Sequence, residues 1–317
     1  MMISVFLIVM GFTLLIFGAN WMVEGASSLA RKYKVSDLVI GLTIVAFGTS
    51  APEMVVNIIA SSNGYSDIVL GNILGSNNFN LFLVLGLSGM IFPIKVASTT
   101  AWREIPISLG VSVLLLLLFY GFSGGDRTML SLVEGLVLLV LFMLFLYYVF
   151  TQLKSETKAP TEKKEKAALN IWGLIVLGLA GLVIGGRLVV DNSVAVAAKF
   201  GVSEKIIGLT IVAAGTSLPE LVTSVVAALK KNSDIAIGNV IGSNVFNILL
   251  ILGLSSLVNP VVYTPKFDTD LFILIGGTLF LLTSMLTGQR KTLDRWEAAF
   301  LFVFYLSYMV YLVMKEL

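Results

Sequence analysis

Two glutamates stand inside long apolar runs, each with the same polar company. Glu53 follows Thr49 by four residues, with Ser50 and Pro52 between them, and Glu220 follows Thr216 in the same way, with Ser217 and Pro219 between. Residues four apart share a helical face, so each carboxylate can stand beside a hydroxyl. The next apolar run repeats the spacing with neutral oxygens, Ser76 with Asn80 and Ser243 with Asn247. Carboxylate, hydroxyl and amide oxygens suit a hard cation, and Ca²⁺ takes about six to eight of them. The chain has no Cys and no His. Disulfides, thiolate or imidazole metal sites and His- or Cys-dependent catalysis are thereby excluded.

A carboxylate at membrane depth costs several kcal/mol unless it meets a cation, water or a proton, which makes both acids functional candidates. A protonated Glu hydrogen-bonded within a bundle is the competing reading; its recurrence at two equivalent positions speaks against it. Pro52 and Pro219 lack an N–H and clash with the carbonyls of Gly48 and Gly215, so both helices should kink or break there and free carbonyl oxygens. Broken helices meeting near the bilayer midplane are a common way of building an ion site. Asn80 and Asn247 fit two roles equally, ligand or interhelical hydrogen bonding. Gly71 with Gly75, and Gly238 with Gly242, predict close packing of the Ser76 and Ser243 helices against the broken ones. Glu24, Asp191, Glu104 and Glu134 lie nearer the ends of apolar runs, where solvated or snorkelling positions are expected, and receive no role.

The elements that position these residues are legible in composition. Of 317 residues 57% are hydrophobic and 13% charged, against about 25% charged in a soluble domain. Ten apolar runs of span length occur, at about 3–23, 38–62, 67–92, 105–122, 129–150, 171–190, 205–229, 234–258, 270–287 and 297–314. Their length predicts helices that cross a bilayer, and they lack the alternation of barrel strands. Residues 3–19 have no basic segment before them and no small-residue cleavage site after them, so they read as the first span rather than a signal peptide. The net charge of +2 is small and the basic residues are dispersed, which implies no nucleic-acid partner.

Residues 41–88 align without gaps on 208–255 at a constant offset of 167, with 28 of 48 positions identical. Shared Gly, Thr, Ser, Pro, Glu and Asn residues make this a true internal repeat. The charged stretch 154–166 separates the copies. The expected organisation is a five-helix repeat over 1–153, a linker over 154–168 and a second five-helix repeat over 169–317. Five spans per half force the second copy to enter from the opposite side, so the fold class is an all-α membrane protein of ten spans in two inverted repeats. Lys and Arg number 15 on the linker side and 5 on the other, which places the linker in the cytoplasm and both termini outside a plasma membrane.

The paired motifs GTSAPE and GTSLPE, followed by GNILGSNNFN and GNVIGSNVFN, closely resemble the alpha-repeats of the cation/calcium antiporter superfamily, specifically its sodium/calcium exchangers. That resemblance implies Glu53 and Glu220 as principal ligands shared by Ca²⁺ and Na⁺. It implies Thr49, Ser50, Ser76, Asn80, Thr216, Ser217, Ser243 and Asn247 around them, with backbone oxygen from Ala46 and Ala213. Asn247 stands where potassium-dependent exchangers carry Asp, which disfavours that branch. A linker of about 20 residues has no room for a large calcium-sensing region such as animal exchangers carry.

Ca²⁺/Na⁺ antiport by alternating access is the expected function, with Ca²⁺ and Na⁺ as transported ions, the bilayer as surroundings, no cofactor and no obligate protein partner. Proton/calcium exchange on the same glutamates is the alternative. A hydrolase using Ser50 or Ser217 lacks a His base and the G-x-S-x-G elbow, and a passive channel would show flux independent of a counter-ion.

Overall fold

Backbone polar groups in hydrocarbon must be satisfied within the segment that carries them, which selects helices for runs of this length. The computed structural model describes residues 2–97, 100–120, 129–152, 167–200, 213–287 and 291–316. Its helices are α1 (Met2–Tyr33), α2 (Asp37–Thr49), α3 (Ala51–Ser62), α4 (Ser66–Ile91), α5 (Thr100–Tyr120) and α6 (Leu132–Thr151) in the first half. The second half has α7 (Ala168–Lys199), α8 (Ala213–Gly215), α9 (Leu218–Leu229), α10 (Ser233–Val258), α11 (Pro265–Ser284) and α12 (Arg295–Glu316).

Seven described helices are long and apolar enough to cross a membrane, and the bent pair α2 and α3 makes an eighth span. The sequence had predicted ten. Of the other two runs, 297–314 is occupied by α12, and 205–229 is described only from residue 213, as α8 and α9. Alone, the 12 residues of α9 reach about 18 Å, short of a hydrocarbon core of about 30 Å. The upstream part of that run, 205–212, and the linker residues 154–166 lie outside the described residues.

Among the described residues, four two-residue strands tie the halves together: β1 (Ile94–Lys95), β2 (Met129–Leu130), β3 (Val261–Val262) and β4 (Thr292–Leu293). β1, which follows α4, pairs antiparallel with β4 before α12, and β3, which follows α10, pairs with β2 before α6. Each half lends the other one edge of a ribbon, and β1 and β3 are separated by the repeat offset. Wider π-helical turns interrupt α2 at Gly41–Val45, α4 at Phe79–Val84, α5 at Thr100–Glu104 and α10 at Phe246–Leu252. Those in α4 and α10 begin at equivalent residues, just before Asn80 and Asn247.

The buried apolar side chains form two clusters. One gathers α4, α5, α6, α10, α11 and α12, while the other joins α1 and α7 to a few residues of α2, α9 and α10. Within the second, α1 and α7 touch backbone to backbone. A Cβ on Gly178 would lie 2.7 Å from the Met22 nitrogen, and one on Gly185 would lie 2.7 Å from the Gly11 carbonyl oxygen. Small residues permit this approach, which replaces the hydrophobic drive that lipid removes. Gly178→Val is therefore expected to lower the melting temperature of the purified protein by roughly 2–10 °C, from about 1–3 kcal/mol of overpacking. Gly173→Ala is the matched control, since a Cβ there meets no described atom within 4 Å. An unchanged melt for Gly178→Val would show that the two helices part without penalty.

Candidate functional site

The chain breaks its helices where the prolines require. Ser50 has φ −82° and ψ 6° between α2 and α3, and Ser217 has φ −91° and ψ 9° before α9. The axes of α2 and α3 diverge by 48°. Each proline then sits in the first turn of the following helix, where its missing N–H leaves no bond unmade. The first turn also carries the acid, Glu53 in α3 and Glu220 in α9, where the helix dipole favours negative charge.

Ser217 Oγ donates to Glu53 Oε1 at 2.8 Å, and Ser50 Oγ donates to Glu220 Oε1 at 3.0 Å. Each carboxylate is thus held by the break of the opposite half. Ser76 Oγ lies 3.0 Å from Ser217 Oγ, and Ser243 Oγ lies 3.5 Å from Glu220 Oε1. Thr49 donates to Asn239 Oδ1 at 3.0 Å and Thr216 to Asn72 Oδ1 at 3.3 Å. The serine–glutamate links and the threonine–asparagine links each have a counterpart with the halves exchanged, whereas the Ser76–Ser217 and Ser243–Glu220 contacts do not. Glu53 Oε2 and Glu220 Oε2 are buried without a hydrogen-bond partner, and both residues are only 1% exposed. Among the described residues no Lys or Arg is buried, so none of these cations offsets the two acids. Nor do three or more acidic side chains gather anywhere among the described residues in a metal-holding group, and a cation here would meet two carboxylates and otherwise neutral oxygens.

Of the remaining expected ligands, the four serines bond at the pair, the two threonines bond to the neighbouring Asn239 and Asn72, and Asn80 and Asn247 bond instead to Asn244 and Asn77. Thr49, Ser50, Ser76, Asn80, Ser217, Ser243 and Asn247 are buried, and Thr216 is half-buried. The Ala46 carbonyl accepts the Ser50 N–H at 3.0 Å and the Thr49 hydroxyl at 3.3 Å. Ala213 opens α8. Glycine packing matches expectation in the second half: a Cβ on Gly242 would lie 2.7 Å from the Ala46 Cβ, and one on Gly238 3.0 Å from the Leu38 carbonyl oxygen. In the first half a Cβ on Gly71 would meet Phe267 at 3.7 Å and one on Gly75 no described atom within 4 Å; of the segment equivalent to α2, 204–216, all but the last four residues lie outside the described residues.

Several polar residues escaped the sequence reading. Asn239 and Asn72 accept from Thr49 and Thr216, and Asn77 and Asn244 bond to each other across the halves. Their identity in both copies, at the same offset as the glutamates, was the available signal. Asn57, one turn past Glu53, is fully buried and donates to the Glu53 carbonyl at 2.8 Å. Its counterpart Ser224 instead accepts from Asn239 Nδ2 at 2.9 Å, so the halves differ here. Glu104 corrects an expectation: it is 2% exposed rather than solvated, and the Tyr148 hydroxyl donates to its Oε1 at 2.5 Å. It closes the π-helical turn Thr100–Glu104 and is bonded by Tyr148 of α6, so a place near the end of a span does not leave it in solvent.

The sodium/calcium exchanger protein family model matches residues 3–151 and 170–314. The chain belongs to that family. CaxA of Alkalimonas amylolytica is 38% identical over 323 residues, covering 97% of this chain and 98% of its own. The sodium/calcium exchanger MaX1 of Methanosarcina acetivorans is 32% identical over 354 residues, covering 98% of each chain. A solved structure of the sodium-calcium exchanger NCX_Mj superposes with a TM-score of 0.86 at 31% identity, again over 98% of each chain. This exchanger is accordingly a mostly helical membrane protein, and its family membership supports cation/calcium exchange.

Proposed function

We propose that this exchanger carries Ca²⁺ one way and Na⁺ the other through a single pocket between Glu53 and Glu220. The observation that carries the reading is the crossed pair of serine bonds, which leaves one buried, unpartnered carboxylate oxygen from each half. Thr49, Ser50, Ser76, Asn80, Thr216, Ser217, Ser243 and Asn247 complete the ligand set, with the Ala46 and Ala213 carbonyls.

Two carboxylates carry a formal charge of −2, which one Ca²⁺ cancels and several Na⁺ can replace. Both ions together would repel by more than a kcal/mol at a separation of a few ångströms, even at moderate dielectric. Competition follows, and an empty, doubly charged pocket is too costly to enclose. The protein then changes face only when loaded, which is antiport.

Ten spans in two inverted repeats, 1–153 and 169–317 joined by a cytoplasmic linker over 154–168, give the two faces of this cycle. Reciprocal pairing of β1 with β4 and of β2 with β3 supports the repeat relation. The two flanks of the pocket also differ: Thr49, Asn239 and Gly242 are buried, while their counterparts Thr216, Asn72 and Gly75 are half-buried. Two near-equivalent halves in unlike surroundings are what alternating access requires. Both termini then face outward.

Protons are the other candidate counter-ion, because a buried acid without a basic partner accepts H⁺ as readily as metal. In proteoliposomes, collapsing the Na⁺ gradient with a sodium ionophore is expected to stop radiocalcium uptake, and collapsing a proton gradient to leave it intact. The reverse pattern would assign the coupling to H⁺, and uptake indifferent to both would indicate a channel.

A further inference from the structure

Four asparagines join α4 to α10 in a closed arrangement. Asn77 Nδ2 donates to the Asn244 carbonyl and Asn244 Nδ2 to the Asn77 carbonyl, each at 3.3 Å. Their side-chain oxygens are then used from the other side. Asn247 Nδ2 donates to Asn77 Oδ1 at 2.9 Å, and Asn80 Nδ2 donates to Asn244 Oδ1 at 3.2 Å. What remains is Oδ1 of Asn80 and Oδ1 of Asn247, both buried and both without a partner. All four residues are at most 2% exposed.

An amide presents either an acceptor oxygen or a donor NH₂, and only the oxygen can meet a cation. Asn80 and Asn247 would be useless, or repulsive, in the flipped orientation. Each amide is held unflipped by an oxygen from the opposite half, and that oxygen is itself fixed because its own NH₂ is committed to a backbone carbonyl. A flip of Asn247 would set two oxygens 2.9 Å apart and strand the NH₂ group, at a cost of about 1–3 kcal/mol for a buried unsatisfied polar group.

We infer that Asn77 and Asn244 are positioning residues for ion binding: they lock the Asn247 and Asn80 amides so that both offer oxygen. This rests on the reading of the Glu53 and Glu220 pocket as a cation site. Neither Asn77 nor Asn244 is itself a ligand, since both of its polar ends are spent on the other half. The site is therefore set crosswise, each half orienting an amide of the other.

The test uses an orientation-free replacement. Asn77→Ala in the full-length protein, reconstituted in proteoliposomes, is expected to raise the KM for Ca²⁺ about 10- to 100-fold, the range seen when a partner of a metal ligand is removed, with a smaller effect on kcat. Adding Asn247→Asp to Asn77→Ala is expected to recover most of that loss, because a carboxylate offers oxygen in either orientation. Asn244→Ala, with Asn80→Asp as its rescue, is the parallel pair if the first variant does not fold. A KM unchanged in a folded Asn77→Ala or Asn244→Ala protein overturns the inference. So does a raised KM that the Asp substitution fails to recover, which would mark a packing role. Glu53→Gln is run alongside: normal calcium uptake in that variant removes the cation site itself, whereas its loss together with normal Asn77→Ala and Asn244→Ala removes only the positioning role.

Discussion

Glu53→Gln, and separately Glu220→Gln, is expected to reduce Na⁺-gradient-driven radiocalcium uptake to the level of empty liposomes. The substitution keeps size and one carbonyl oxygen, so the crossed serine bond to each residue can persist and the protein should still fold. What changes is charge and one oxygen. With one carboxylate left, the pocket carries −1, and a divalent ion would be enclosed with a net positive charge in a region where the described protein offers no compensating anion. Amide NH₂ would also replace the Oε2 oxygen that now has no partner. Partners that merely orient a metal ligand are worth about 10- to 100-fold in affinity, so loss of a direct carboxylate ligand should equal or exceed the upper end of that range. Removing the pair's mutual repulsion and uncompensated burial should meanwhile stabilise the ion-free fold. The combined expectation is therefore a protein that melts no lower than the parent and does not transport. Uptake like that of the parent in both variants would take these residues out of the mechanism, and a collapse of the fold would show that their charge is structural.

Much of what the structure brings together around Glu53 and Glu220 was legible in the sequence, for a definite reason. Pro52 and Pro219 dictate a local break whatever surrounds them, and the 167-residue offset states which residues must be equivalent. Thr49, Ser50 and Glu53 could thus be grouped from spacing alone. Spacing along one helix does not reveal partners on another. The crossing of Ser217 to Glu53 and of Ser50 to Glu220 is a tertiary fact, and so is the amide ring built on Asn77 and Asn244. Helical periodicity also assumes an unbroken ladder. The π-helical turns beginning at Phe79 and Phe246 add a residue to a turn and shift the face of everything after them, and no residue type announces them. Glu104 was misplaced for a different reason: nearness to the end of an apolar run says nothing of Tyr148 on α6, which covers it. Glycines such as Gly178 read as composition until α1 supplied the surface they fit.

The second large effect concerns motion. The α1 and α7 pair has its own apolar cluster and lies against the breaks through bare glycines. A Cβ on Gly48 would fall 2.4 Å from a Leu179 methyl, and one on Gly215 2.2 Å from a Val190 methyl. Both of those partners are on α7. Alternating access requires some body to move past the pocket, and a pair packed tightly to itself, touching the broken helices through small smooth residues, is the body best able to slide. The chain has no cysteine of its own, so a staple can be placed without background. Built Cβ positions for Gly215 and Val190 lie 3.3 Å apart, close to the spacing of about 3.5–4.5 Å that a disulfide requires. Val190→Cys also deletes the methyl that would otherwise clash. Gly215→Cys combined with Val190→Cys is expected to exchange calcium when reduced, to lose at least about nine-tenths of its uptake under mild oxidation, in line with a gating motion that chemistry cannot bypass, and to recover with reductant. Either substitution alone should ignore the oxidant. Full exchange by quantitatively crosslinked protein would mean that α7 and the Glu220 break travel together, and the moving body would then have to be sought among α4, α5, α10 and α11.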